Sequence, residues 1–226
     1  MLKSVEKVNH FLTIILNLVY VNFLWVLFTL LGLILFGIGP STYALVSICR
    51  QWIRGNQNVS VFKTFWKYYK ENFKESVIVS WLYLAVGVIL TVDLLYVTNW
   101  YGRAALFVIS FMYLLSLVYI FPIMAHYDWK GMFFKIRMSF LFGVACLQYS
   151  LVLGFVLGVF YWVVTNFFPG VLTFFGMSFL FYLITWTANQ VFTRMEIANG
   201  EELRKHINYE NEKGNRDEKT HEFKVS

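Results

Sequence analysis

One uncharged stretch decides the fold, and it occupies residues 8–49: VNHFLTIILNLVYVNFLWVLFTLLGLILFGIGPSTYALVSIC. These 42 residues contain no Asp, Glu, Lys or Arg, and a second stretch, residues 138–193, is equally free of charge over 56 residues. A helix that crosses a bilayer needs about 20 apolar residues. The second stretch therefore needs two crossings, and the first needs more than one crossing or a re-entrant piece. The sequence predicts an integral membrane protein.

The composition of the 226 residues leads to the same class. Hydrophobic residues make up 58% of the chain and charged residues 14%, with 24 Phe, 14 Tyr and 8 Trp. Soluble domains average roughly 45–50% apolar and about 25% charged residues. A soluble domain of this size cannot bury so much apolar surface, which excludes the soluble, disordered and fibrous classes.

We predict an all-α fold, a polytopic transmembrane helical bundle with five full spans and one short Pro-capped helix. The breaker cluster is Gly37, Gly39 and Pro40. The short helix is expected from about Pro40 to Ile53, because proline is well tolerated in the first turn of a helix. It is short for a full span, so it is either tilted across the membrane or re-entrant. The five full spans are expected at about residues 11–36, 76–98, 104–125, 138–165 and 171–192.

Basic residues set the expected orientation, because Lys and Arg concentrate in cytoplasmic connections. Six lie in residues 50–74, three in residues 126–137 and seven in residues 194–226, whereas the two intervening connections hold one and none. We therefore expect a multi-pass protein of the bacterial cell membrane with a cytoplasmic C-terminus. A crossing short helix also places Lys3 and Lys7 inside and is favoured, while a re-entrant one leaves the N-terminus outside.

The predicted domain organisation is one transmembrane domain over residues 1–193 and a charged tail over residues 194–226. The tail holds seven basic and eight acidic residues, a composition typical of disorder. We expect it in the cytoplasm. The net charge of +6 does not indicate nucleic-acid binding, because the basic residues lie at the expected membrane boundaries.

The clearest local pattern is the amphipathic segment SVFKTFWKYYKENFKE, residues 60–75. On a helix its aromatic residues share one face through i, i+3 and i+4 spacing, with a lysine stripe beside them. Such a helix suits the membrane interface, where rings lie at headgroup depth and ammonium groups meet lipid phosphates. It predicts either a surface for an anionic lipid or cytoplasmic partner, or a structural lead-in to the next span. The aromatic face comprises Phe62, Phe65, Trp66, Tyr69 and Phe73, and the stripe comprises Lys63, Lys67, Lys70 and Lys74.

Three polar residues within the predicted spans are candidates for a solute pocket: Asn22, Asp93 and Gln148. An ionisable residue in a span is a functional candidate by default. Asp93, however, lies roughly 25 Å along a helix from Ser76, near the outer interface, where it can pair with Arg103. Amide side chains in spans more often hydrogen-bond to a neighbouring helix.

No motif indicates catalysis, a metal site or a cofactor. The four histidines are scattered, and H-E-x-x-H, a phosphate-binding glycine loop and G-x-S-x-G are all absent from the sequence. We therefore expect a protein that is not an enzyme and needs no cofactor. Gly154 and Gly158 form a GxxxG, which permits a homodimer by close helix approach but also arises often by chance.

Several segments resemble the YesL-like family of bacterial membrane proteins: NFLW (22–25), FGIGPSTYAL (36–45), RQWIRG (50–55), FKTFWK (62–67) and FPIMAHYD (121–128). The resemblance covers most of residues 9–192. It implies a small multi-span protein of unknown molecular activity. Genes of that family often neighbour carbohydrate ABC importers and glycan-degrading enzymes, which implies a role in carbohydrate uptake.

Two functions follow as expectations. The first is a non-enzymatic accessory factor for carbohydrate or oligosaccharide uptake or its regulation, with the lipid bilayer and a carbohydrate ABC importer or another membrane protein as partners. The alternative is a small solute transporter or channel, in which Asn22, Asp93 and Gln148 converge on one polar pocket.

Overall fold

The structure is a computed structural model that describes residues 2–56, 59–127, 131–168, 170, 172 and 174–197, with the backbone alone for residues 2–11. These residues form helices joined by turns and short loops, and no strand occurs among them. The predicted all-α fold is therefore confirmed. The helices are α1 (Leu2–Leu31), α2 (Ile38–Ile53), α3 (Val61–Glu71), α4 (Phe73–Tyr96), α5 (Trp100–His126), α6 (Met132–Ala145), α7 (Leu147–Phe167) and α8 (174–197).

The chain divides into two compact units, Met1–Ala188 and Asn189–Ser226. The first contains α1–α7 and the beginning of α8. In the second, the described residues are 189–197, and they are helical. The predicted tail, residues 194–226, lies outside the described residues from residue 198 onward, so its disorder and its cytoplasmic location stay predictions.

Four helical segments in the described part of the chain are long and apolar enough to cross a membrane: Leu12–Leu31 of α1, α4, α5 and α7. They expose large apolar side chains such as Leu16, Ile89, Phe107 and Phe155, as expected of surfaces that face lipid. The fifth predicted span, residues 171–192, includes residues outside the described part. The number of crossings therefore stays a prediction.

The short helix α2 lies at the centre of the bundle. Its residues from Gly39 to Cys49 are all buried, and α1, α3, α4 and α5 pack against it. At 1.5 Å per residue its 16 residues extend for about 24 Å, less than the roughly 30 Å of a hydrocarbon core. It begins at Ile38, two residues before Pro40, so the proline lies in its first turn as predicted.

Two clusters of buried side chains form the core on either side of α2. One joins α2 to α1 and α3 through residues such as Leu24, Phe28, Leu45 and Phe65, and the first part of α8 packs against it. The other joins α2 to α4 and α5 through Tyr43, Val46, Val79, Ile120 and Met124. Packing on α2 therefore fixes the relative positions of four other helices.

The first predicted span, residues 11–36, is five residues too long at its end. Helix α1 ends at Leu31, and residues 32–37 form turns. A Cβ on Gly32 would lie 2.3 Å from the Gly37 Cα, so only glycines permit this crossing of the chain. The break thus begins at Gly32 rather than at Phe36.

The predicted span over residues 138–165 is two helices rather than one. Cys146 leaves the helical conformation, ending α6 and preceding α7. The bend brings the Ser150 hydroxyl to 3.0 Å from the Tyr119 hydroxyl of α5. The second helix, α7, begins only after this bend, and α6 starts at Met132, before the uncharged stretch. Lys135 and Arg137 therefore belong to a helix and not to a connection.

Candidate functional site

Helix α3 is anchored by two of its predicted aromatic residues. Phe65 is 0% exposed and Tyr69 8% exposed, and both ring centroids lie 5.1 Å from that of Phe28 on α1. Phe62 and Trp66 also contact Phe28 at 6.3 and 5.4 Å, but they remain 48% and 41% exposed. Two of the five predicted aromatic residues are therefore buried against the protein, whereas Phe62, Trp66 and Phe73 remain exposed and available to lipid.

Polar contacts fix the same helix on α2. The Gln51 amide donates to the Tyr68 hydroxyl at 2.5 Å, and the Asn72 amide donates to the Tyr43 hydroxyl at 2.7 Å. The Tyr69 hydroxyl lies 3.5 Å from the Phe28 carbonyl oxygen, a long contact, and burial raises the pKa of Tyr69. These contacts hold α3 in one orientation relative to α1 and α2.

The predicted amphipathic helix over residues 60–75 is divided, which corrects the sequence prediction. Helix α3 ends at Glu71, Asn72 has a non-helical φ of −116° and ψ of 30°, and α4 begins at Phe73. Phe73 and Lys74 therefore belong to α4. Ser60, the residue before α3, makes no side-chain capping hydrogen bond. The tertiary bond from Asn72 to Tyr43 stabilises the break.

The four predicted lysines are all exposed, and we call them together the lysine face: Lys63, Lys67 and Lys70 on α3 and Lys74 at the beginning of α4. Lys70 Nζ lies 4.1 Å from the centroid of the Trp66 ring, a cation–π distance. Within the part of the chain that the structure describes, none of the four forms an ion pair. The lysine face can therefore meet an acidic surface without first breaking an ion pair among the described residues.

An ion pair that sequence reasoning missed joins α4 to α6. Lys135 Nζ donates to Glu75 Oε1 at 2.7 Å, with the two side chains 7% and 28% exposed. A buried lysine is costly unless it is paired. No sequence signal connects two residues 60 positions apart, and the Lys and Arg count assigns Lys135 to the connection over residues 126–137.

A hydroxyl cluster joins α4 and α6 to α5. Tyr83 OH is 2.6 Å from Ser116 Oγ and 3.3 Å from Ser139 Oγ, and the two serine oxygens are 2.8 Å apart. Tyr113 OH donates to the Tyr83 carbonyl oxygen at 2.8 Å. All of these residues except Tyr113 are buried, so the cluster satisfies polar groups that would otherwise be costly in an apolar surrounding.

Arginine side chains at the end of α2 cap the end of α5. The Arg50 guanidinium donates to the carbonyl oxygens of Ala125 and His126, the second at 3.3 Å. These carbonyls belong to the last turn of α5, where acceptors lack helical donors and a positive charge is favourable. An Arg54 nitrogen lies 3.4 Å from the His126 ring. The geometry is that of a structural clasp between two helix ends.

The breaker residues allow helices to approach closely. A Cβ on Gly39 would lie 2.3 Å from Ser80 Oγ and 2.4 Å from the Ser76 carbonyl oxygen on α4, and a Cβ on Gly37 would lie 2.5 Å from the Thr29 carbonyl oxygen. Pro40 is buried in the first turn of α2. The breaker thus positions α2 against both α1 and α4.

The structure does not bring the three candidate solute residues together. Asn22 is buried, and its Oδ1 accepts a hydrogen bond from the Ser178 N–H at 3.2 Å. Gln148 is exposed and lines a separate groove with residues of α7 and α8. Asp93 lies near the end of α4 and forms no ion pair with Arg103 among the described residues. A single polar pocket formed by all three is absent from the described residues.

Two further expectations concern metals and self-association. No group of three or more His, Cys, Asp or Glu suited to a metal occurs among the residues searched, which are the described ones. A Cβ on Gly154 or Gly158 would meet no atom within 4 Å, so the GxxxG face of α7 packs against no other part of the described chain. The homodimer stays a prediction.

Apolar helices around a buried short helix, joined by polar contacts between helices, define a helical membrane protein. The chain belongs to the YesL-like family of uncharacterised proteins. A family model described as "Protein of unknown function, DUF624" matches residues 18–94, which include the breaker and the lysine face.

Three relatives from Bacillus subtilis (strain 168) support this membership. The uncharacterised protein YteU is 36% identical over 208 residues, which cover 89% of this chain and 92% of YteU. The uncharacterised protein YesL is 32% identical over 58% of this chain and 64% of YesL. The uncharacterised protein YesV is 33% identical over 50% of this chain and 58% of YesV. No solved structure matches the chain.

Proposed function

We propose that this protein is a non-enzymatic accessory factor for carbohydrate or oligosaccharide uptake in the bacterial cell membrane, and that the lysine face binds an acidic cytoplasmic surface of a carbohydrate importer. The carbohydrate part rests on the family resemblance and its gene neighbourhoods. The docking part rests on the geometry of α3.

The observation that carries the proposal is the division of α3 into a buried side and an exposed side. Phe65 and Tyr69 are packed on Phe28, whereas the lysines point to solvent without ion pairs among the described residues. A preorganised surface loses less conformational entropy on binding than a mobile one. Clustered lysines also speed association with an acidic partner.

The alternative is a purely structural role, in which α3 only leads into α4. A lead-in helix needs the aromatic contacts with α1, but it does not need four exposed lysines without partners. Charge at these four positions is therefore the property to vary. Two quadruple variants distinguish the docking role from the structural role. Lys→Gln at positions 63, 67, 70 and 74 removes the charge, and Lys→Arg at the same positions keeps it.

Affinity co-purification from native membranes of cells that grow on an oligosaccharide tests the docking part. We expect the wild type and the Lys→Arg variant to retain a carbohydrate importer subunit, and the Lys→Gln variant to lose it at equal expression. Equal retention by the wild type and both variants, or no importer with any of the three proteins, would refute docking through the lysine face.

Growth measurements test the carbohydrate part separately. Deletion of the gene should slow growth and uptake on complex glycans and leave growth on glucose unchanged. Unchanged growth and uptake across such glycans would contradict the proposed role even if a partner co-purifies.

A further inference from the structure

A groove opens between α4, α5 and α6 with a volume of about 380 Å³. This volume falls within the range of small-molecule sites, roughly 300–1,000 Å³. Along α4 the groove runs from Leu82 to Leu90, about 12 Å at the helical rise. Its walls are apolar and come from all three helices: Leu82, Val86, Leu90, Ile109, Met112, Ile136 and Phe140.

The polar groups in the floor of the groove already have partners. Tyr83 and Ser116 line it, and their hydroxyl oxygens lie 2.6 Å from each other. Tyr113 also lines it and donates to the Tyr83 carbonyl oxygen. The floor therefore leaves no unsatisfied hydroxyl facing the occupant, and an apolar chain can fill the groove without burying an unpaired polar group.

One cation borders this apolar surface. Arg137 lines the groove and is exposed, and it forms no ion pair or hydrogen bond with another described residue. Lys135, two residues earlier, is instead buried and paired with Glu75. Arg137 therefore has a free guanidinium group to offer an anion at the groove.

Neighbouring cavities lack this combination. The cavity between α1 and α8, about 620 Å³, is lined by residues such as Asn22 and Phe174, and the groove between α7 and α8, about 260 Å³, by residues such as Gln148 and Trp186. Neither lining includes a charged side chain. The three-helix groove thus differs from an ordinary lipid-facing crevice by its charge.

We propose that the groove binds one acyl chain of an anionic phospholipid from the cytoplasmic leaflet, with the lipid phosphate at Arg137. The leaflet follows from the positive-inside prediction, which places the beginning of α6 on the cytoplasmic side. A basic residue beside an apolar groove between transmembrane helices is suited to an anionic headgroup. The apolar walls and the hydrogen-bonded hydroxyl groups suit an acyl chain. Arg137, which has no ion pair among the described residues, suits the anionic headgroup.

Native mass spectrometry of the purified full chain tests the headgroup part. The protein in detergent is titrated with phosphatidylglycerol or phosphatidylethanolamine, and the bound fraction of each is measured. We expect the wild type to prefer phosphatidylglycerol about fivefold, the effect of one basic residue near a membrane surface. Arg137→Gln should abolish the preference, and Arg103→Gln, at an exposed arginine outside the groove, should keep it.

Filling the groove tests the acyl-chain part. Val86 lines the groove, whereas Val88, two residues along the same helix, does not. Val86→Trp should lower bound phosphatidylglycerol severalfold, and the matched Val88→Trp should not. No headgroup preference in the wild type, or equal behaviour within either pair of variants, would overturn the proposal.

Discussion

Lys135 Nζ on α6 and Glu75 Oε1 on α4 lie 2.7 Å apart, and the lysine is the more buried partner, at 7% exposed against 28%. The asymmetry matters because the desolvation cost of each charge depends on its own burial. Glu75 can regain water when its partner is lost, whereas Lys135 cannot.

The first prediction concerns this pair. Glu75→Gln should destabilise the protein by on the order of 3 kcal/mol, because it leaves a buried lysine without a counter-charge. Lys135→Met should cost less, and the double variant should be more stable than Glu75→Gln alone. Thermal unfolding in detergent of the wild type, the two single variants and the double variant completes the double-mutant cycle. Equal destabilisation by both single variants would contradict the burial argument.

The second prediction concerns the contact between α2 and α4. Gly39→Ala should cost about 1–3 kcal/mol, because the new Cβ would overlap the Ser76 carbonyl oxygen. Gly154→Ala is the matched control, since its Cβ would meet nothing within 4 Å. That change should be neutral or slightly stabilising through helix propensity. Midpoints of thermal unfolding compare the two, and a tolerated Gly39→Ala would refute the close approach.

The third prediction concerns the clasp at the end of α5. Arg50→Met removes donors from the Ala125 and His126 carbonyls and should cost about 1.5–3 kcal/mol, the range for hydrogen bonds to a charged group. Arg54→Met removes only an exposed contact with the His126 ring and should cost far less. Equal losses of stability in Arg50→Met and Arg54→Met, measured by unfolding, would mean that positive charge alone, rather than carbonyl capping, stabilises the end of α5.

The fourth prediction concerns the anchoring of α3. Phe65→Ala should cost about 3 kcal/mol, because it opens a cavity beside Phe28, and should also weaken importer retention by loosening the lysine face. Phe62→Ala serves as control, since Phe62 is half-exposed. Stability and co-purification are measured on the same samples. Full retention of the importer by a destabilised Phe65→Ala protein would show that docking does not depend on the packing of Phe65 against Phe28.

Sequence alone predicted the all-helical fold, the short helix at the breaker and the lysine stripe, because each depends on local periodicity or on glycine and proline. The burial of that short helix at the centre of the bundle was not predicted, because it depends on how four other helices pack. It missed the break at Asn72, since asparagine is only mildly unfavourable in a helix and its bond to Tyr43 is tertiary. It also missed the burial of Lys135, because Glu75 is distant in sequence. Asn22 was named as a candidate, but its acceptor role toward the Ser178 N–H depends on how α8 packs.

The number of crossings follows from the lengths of the uncharged stretches, and the side of each terminus follows from the positive-inside count; both stay predictions. Cysteine labelling at position 67 would test the predicted orientation, since the lysine face is expected in the cytoplasm. An impermeant thiol reagent should label Lys67→Cys in inverted vesicles and not in intact cells. Labelling in intact cells would reverse the orientation and remove the lysine face from the cytoplasm.

We propose that the anchored lysine face, on α3 and at the beginning of α4, binds a carbohydrate importer, and photo-crosslinking in native membranes probes that contact. A photoreactive amino acid is placed at position 67 on the lysine face or at position 88 on the outer surface of α4, in cells that grow on an oligosaccharide. We expect an importer subunit to be crosslinked from position 67 and not from position 88. No importer from position 67, or equal yields from both positions, would contradict it.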